Sequence, residues 1–188
     1  LRSVGINLDG RMGRVIINAS ETSTSTISDA HTFQRDGAHY MKGSLYLGGE
    51  TSSSHELDDY EEGTWTPGLD GSSYGGNSYG YSVRHGNYVK IGRLVQVNFY
   101  LSWSNFNGNG HLMVSGLPFV TTSTLQAQYA GPVMTDGLNW PNAGSITTHN
   151  WYAISYFRLY VSSDNGGWSG VQCDGAASII GTLNYMTD

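Results

Sequence analysis

The sequence predicts an all-β protein in three parts: a β-rich stalk segment over residues 1–50, a short helical collar over 51–63, and an antiparallel β-sandwich head over 64–188. Two observations carry the class. The chain of 188 residues holds 26 Gly and 13 Tyr but only 13% charged residues, so it lacks the Ala, Leu, Glu and Lys content that stabilises long helices. Its apolar residues also alternate with polar ones between Gly- and Asn-rich turn signals, the period of a half-buried strand.

Residues 1–50 contain three strand-like pieces, "VGINLDG", "GRVIINAS" and "GSLYLGG". They hold too few large apolar residues to enclose a core, so their faces are expected to be buried against another chain in an intertwined or stacked oligomer. Leu1 stands where a Met would begin a complete chain, so the chain is expected to be a C-terminal or internal portion of a longer protein.

The stretch "HELDDYEE" places five carboxylates in eight positions. Ser53 and Glu56 have capping-box spacing, acids fill the first turns and Gly63 stands at the end, which predicts a helix over 54–62. Isolated helices below about 12 residues are marginal in water. Leu57 and Tyr60, three apart, are therefore expected to dock on something, with Trp65 completing the collar.

In the head the clearest strand is "RLVQVNFYLSW", with Val95, Val97, Phe99, Leu101 and Trp103 on one face and Gln96, Asn98 and Ser102 on the other. "NGNG" at 107–110 predicts a turn, with "HLMVSG" returning as the hairpin partner. "WYAISYFRLYVS" reads as one long strand covered on both faces, followed by a hairpin turn at "SDNGGW". "ASIIGTLNYMT" is the expected last strand, and this spacing of strands and turns predicts an antiparallel sandwich.

The net charge of −6, without any Lys/Arg cluster, argues against nucleic acid as a partner. No apolar run approaches the ~20 residues of a membrane-spanning helix, so no membrane insertion is expected. Cys173 is the only cysteine, which excludes an intrachain disulfide and fits assembly in a reducing cytoplasm.

The ordered string "LDDYEEGTWTP", "GNYVKIGRLVQVNFYL" and "VSGLPF" resembles a module that recurs in tail-fibre and tailspike proteins of tailed bacteriophages, over roughly residues 55–120. The resemblance implies a homotrimer at the tip of a virion tail fibre, assembled in the host cytoplasm and joined to upstream tail proteins. It further implies attachment to a host surface glycan, lipopolysaccharide or capsule, without catalysis and without a cofactor. The alternatives are a trimerisation and folding module of a longer fibre, or part of a polysaccharide-degrading tailspike. Three-fold assembly suits a stalk and collar that cannot bury their own faces.

Several motifs carry competing readings. Asp58 with Glu61 or Glu62 would share a helix face, as paired carboxylates of a glycosidase do, but a solvated collar offers no cleft; calcium on a fibre axis is a second reading. "GSSYG" places Ser73 in a hydrolase-like slot, yet no apolar strand precedes it and no helix follows. The six histidines show no metal-ligand spacing, although His31 or His39 stacked on a three-fold axis would meet a metal or anion. Trp65, Tyr88 and Ile91 sit in the recurring string at strand positions and read as structural.

The functional expectation rests on aromatics. "DGLNWPN", "THNWY" and "DNGGW" set Trp140, Trp151 and Trp168 beside Asn139, Asn142, His149, Asn150, Asp164 and Asn165. Sugar rings present apolar faces rimmed by hydroxyls, which a flat ring with neighbouring amides complements; the competing reading is that these tryptophans are packing. Tyr74, Tyr79 and Tyr81 in "DGSSYGGNSYGY" form the second candidate surface.

Overall fold

The computed structural model describes residues 3–9, 14–20, 31–33, 36–41, 45–46, 56–57, 59–73, 80–140 and 144–188. These residues contain strands and no helix. The chain divides into two compact units, Leu1–Asp59 and Tyr60–Asp188.

In the first unit, β1 (Ser3–Asp9), β2 (Arg14–Ser20), β3 (His31–Phe33) and β4 (His39–Met41) form an antiparallel meander in chain order. The β3–β4 turn uses Gly37 at φ 90°, and the Asp36 carboxylate accepts the Ala38 N–H at 3.0 Å, a local substitute for a backbone bond. A separate pair joins β5 (Leu45–Tyr46) to β6 (Glu56–Leu57).

The described part of the expected collar is extended rather than helical. Leu57 lies in β6, and Tyr60 and Trp65 bound β7 (Tyr60–Trp65), which pairs from Tyr60↔Ile91 to Trp65↔Gly86 with β9 (Gly80–Ile91). Residues 54, 55 and 58 lie outside the described residues. Pairing with β9 gives the backbone groups on one side of β7 long-range partners, whereas a helix of about eight residues is marginal by itself.

The second unit continues with β8 (Gly68–Ser73), β10 (Leu94–Ser104), β11 (Asn109–Ser115), β12 (Gln128–Asp136), β13 (Ser145–Trp151), β14 (Tyr156–Ser162), β15 (Ser169–Gly170) and β16 (Ala177–Met186). One antiparallel sheet runs β7-β9-β10-β16-β12-β13-β14-β11-β8, with β15 beside β14. Its two end strands are consecutive in the chain, separated only by Thr66 and Pro67. The sheet therefore curls back on itself. Across the seam, Tyr81 OH accepts the Leu69 N–H at 2.8 Å and Arg84 Nε donates to Pro67 O at 2.7 Å.

Inside the curl lies one apolar core. Val95, Val97, Phe99, Leu101 and Trp103 are at most 3% exposed, as their alternation predicts, and Phe99 meets Phe157 of the opposite layer at 5.0 Å between ring centroids. Burying a side chain of this size contributes about 1.5–3 kcal/mol. The two-layer packing is consistent with the expected sandwich, although one continuous sheet supplies both layers. Strand β12 joins them: Gln128–Pro132 pairs with β13, and Val133–Asp136 with β16. At this corner a Cβ on Gly131 would overlap the Thr182 carbonyl.

Two expected elements differ. Strand β11 pairs with β14 and β8 rather than forming a hairpin with β10, because β10 is already flanked by β9 and β16. Residues 105–108 instead carry the chain to the other layer, with Asn105 at φ 58° and Phe106 buried. The expected single strand over 151–162 breaks at Tyr152–Ala153 into β13 and β14. Ala153 sits at φ 57°, a conformation that costs a non-glycine residue energy. The 121–122 segment holds it there, with Ala153 N–H donating to both Thr121 O and Thr122 O, and Ile154 N–H to the Thr121 hydroxyl.

Residues of the segments at 63–67, 86–92 and 114–119 meet one another. Trp65 is buried and donates Nε1–H to Asn98 O at 3.2 Å. Tyr88 stacks edge-on against Phe119 at 5.4 Å, Lys90 Nζ lies 5.5 Å from the same ring, and Leu117 is buried.

Candidate functional site

The outer face of β12, β13 and β14 gathers aromatic groups where a half-solvated sheet is ordinarily polar. Alternation decides the sides. In β14, Phe157, Leu159 and Val161 enter the core, and Tyr156, Arg158, Tyr160 and Ser162 face outward. In β13 the cross-strand partners Thr147↔Tyr160 and His149↔Arg158 share that outer face with Trp151. The segment after β14 turns at Asn165 (φ 59°) and returns as β15, paired at Tyr160↔Gly170 and Val161↔Ser169. This return brings Trp168 over the face.

His149 is the hub. Its ring lies 4.3 Å from Trp151, 5.5 Å from Tyr160 and 5.5 Å from Trp168, and Trp151 meets Tyr160 at 5.9 Å. Ala130, Thr147, His149, Tyr160, Ser162 and Trp168 line a mostly apolar cavity of about 130 Å³. That is small beside the roughly 300–1,000 Å³ of drug-sized pockets, and fits one ring or substituent of a longer ligand. Trp168 remains 68% exposed, so its indole is free to stack.

Polar groups sit within this apolar setting. His149 is 5% exposed, and burial holds its imidazole below the ordinary value, which keeps the ring neutral at pH 7. Its Nε2 lies 2.9 Å from Gln128 Oε1, within hydrogen-bond distance, and Nδ1 is buried without a partner. The Arg158 guanidinium carbon stands 5.6 Å from the Trp151 ring and 5.8 Å from the Tyr156 ring.

Of the sequence-selected residues, the structure brings Trp151 and Trp168 together. Trp140 instead packs on the core, beside an Asn139 tied to Asp174 by bonds of 2.7 and 3.0 Å. Asn150 points to the opposite side of β13, fully buried, with neither amide atom hydrogen-bonded. Tyr74, Tyr79 and Asn142 lie outside the described residues. Tyr81 is half-buried at the seam.

Ser73 is the exposed last residue of β8, not the tip of a strand-to-helix elbow. Of the acidic stretch, Glu61 accepts a hydrogen bond from Tyr88 OH, and Glu62 accepts one from Tyr60 OH at 2.9 Å; both are exposed edge-strand groups. His31 and His39 stand on the neighbouring strands β3 and β4. Among the described residues no three His, Cys, Asp or Glu converge as metal ligands, and no helix is long and apolar enough to cross a membrane.

Sequence reasoning missed Tyr160, Arg158, Thr147 and Gln128. A usable signal was present: Tyr156, Arg158 and Tyr160 alternate along one strand face, an aromatic–cation–aromatic stripe of period two.

Compared with protein-family models, curated proteins and solved structures, the chain matches none.

Proposed function

We propose that this chain is the receptor-binding tip of a phage tail fibre, a homotrimer that attaches the virion to host surface polysaccharide without cleaving it. The observation that carries the binding part is the His149–Trp151–Tyr160–Trp168 cluster, with its small apolar cavity and its exposed indole. Stacking aromatics rimmed by hydroxyls and an amide are the chemistry that sugar rings require. The fibre context rests on the resemblance of the "GTWTP … YVKIG … GLPF" string.

Two rows of exposed apolar side chains support association between copies. Tyr60, Ile91 and Leu94 are register partners at 64%, 48% and 47% exposure. Tyr100, Ile180 and Met134 form a second row across β10, β16 and β12. Contiguous exposed apolar surface of this kind marks interaction sites.

The second reading, a folding and trimerisation module with no ligand, is favoured by the packing roles of Trp65, Lys90 and Leu117, which are buried members of the same string. A host-cell attachment assay on the Trp168→Ala trimer separates them. Attachment falls if the tip reading holds; unchanged attachment by an intact trimer leaves the structural reading.

A further inference from the structure

We infer that the glycan carries a carboxylate and that Arg158 reads it, an inference that rests on the glycan-binding reading above. The other cations of the second unit are committed. Arg84 donates to Pro67 O and lies over Tyr81. Arg93 donates to Thr187 O and Thr122 Oγ1 and pairs with Asp188 at 3.6 Å. Lys90 is 8% exposed over Phe119.

Arg158 is different. Among the described residues it has no hydrogen-bond or ion-pair partner, and its Nε is buried without an acceptor. The Trp151 and Tyr156 rings stand 5.6 and 5.8 Å from its guanidinium carbon and supply no hydrogen-bond acceptor for it. A partly desolvated cation without a counter-charge is a costly arrangement. A carboxylate satisfies it, because the guanidinium fork matches the two oxygens of that group.

The surroundings favour the same ligand. Arg158 is the cross-strand partner of His149, whose buried imidazole lines the cavity next to Trp168. A sugar ring stacked on Trp168 or Trp151 would thus present an acidic substituent toward a single fixed positive charge. Neutral His149 and amide Gln128 bring no opposing charge to that side.

The test uses the full chain, with 3′-sialyllactose against lactose and trigalacturonate against its methyl ester, followed by tryptophan fluorescence and calorimetry. The expected result is that each acid binds about tenfold or more tightly than its neutral counterpart. Arg158→Gln should abolish that preference, bringing the acid and neutral affinities to within about twofold of each other whatever their common level, and Arg158→Lys should restore part of it. Should Arg158→Gln fail to fold, the salt dependence of the wild type replaces it: acid affinity falls with added salt and neutral affinity does not. Equal affinity for acid and neutral forms overturns the inference and leaves the glycan reading standing. No saturable binding of any of the four overturns both.

Discussion

The indole of Trp65 lies across Gly86, its register partner on β9, in the space a Cβ there would occupy. Two residues along, the relation is reversed: a Cβ on Gly63 would stand 3.0 Å from the Tyr88 ring that covers it. Gly-Thr-Trp on one strand and Gly-Asn-Tyr on the other are thus a reciprocal pair, each ring filling the gap left by the other strand's glycine. Phe99 covers Gly181 in the same manner.

Gly86→Ala forces the Trp65 ring to move and should destabilise the second unit by about 1–3 kcal/mol. Chemical denaturation measures it. In a Trp65→Ala background the same change should cost far less, because the ring it displaces is gone; additive effects would show that the two residues do not interact.

Trp168 and Trp151 should separate binding from folding. Trp168 is 68% exposed, so Trp168→Ala should reduce glycan or cell binding with a stability change within about 0.5 kcal/mol. Trp151 packs on His149 and Tyr160, so its truncation should lower both binding and melting temperature. Trp140 packs on the core, and Trp140→Ala should lower the melting temperature while leaving binding by the folded fraction unchanged.

The His149 imidazole is held below its ordinary value by burial. The unfolded chain therefore takes up this proton first as pH falls, and the folded state loses stability below about pH 6.5, the ordinary histidine value. Above that pH neither state binds the proton and the stability difference is flat. Melting curves of wild type and His149→Gln across pH 5–8 isolate the contribution: the variant should lose less stability on acidification, and parallel curves would contradict the assignment.

Burial pushes the Cys173 thiol up to about 11. At pH 8 it is almost wholly protonated, so iodoacetamide should modify the native chain far more slowly than the unfolded one. Mass spectrometry of a timed labelling series reads the ratio.

Light scattering tests the assembly. A homotrimer should weigh three times the 20.4 kDa chain, and if the Tyr100–Ile180–Met134 row is an interface, Ile180→Lys should shift the mass toward the monomer while circular dichroism stays β-like. A wild-type monomer at high concentration would remove the trimer from the proposal.

By itself the sequence determined the β class, the inward set Val95–Trp103 and the closing strand, because period-two alternation states which side of a strand meets the core. It also marked Trp151 and Trp168. What only the tertiary structure decided is which strands pair: β7 is extended rather than helical because the edge of β9 accepts it, and β11 leaves β10 because both flanks of that strand are taken. The turn at Ala153 has no Gly or Pro to announce it, since threonines more than thirty residues away hold it. Arg158 and Tyr160 became candidates only when pairing set them beside His149 and the chain after Asn165 folded Trp168 back over them. Local propensity acts within a few residues, whereas a binding face is assembled by contacts between strands far apart in the chain.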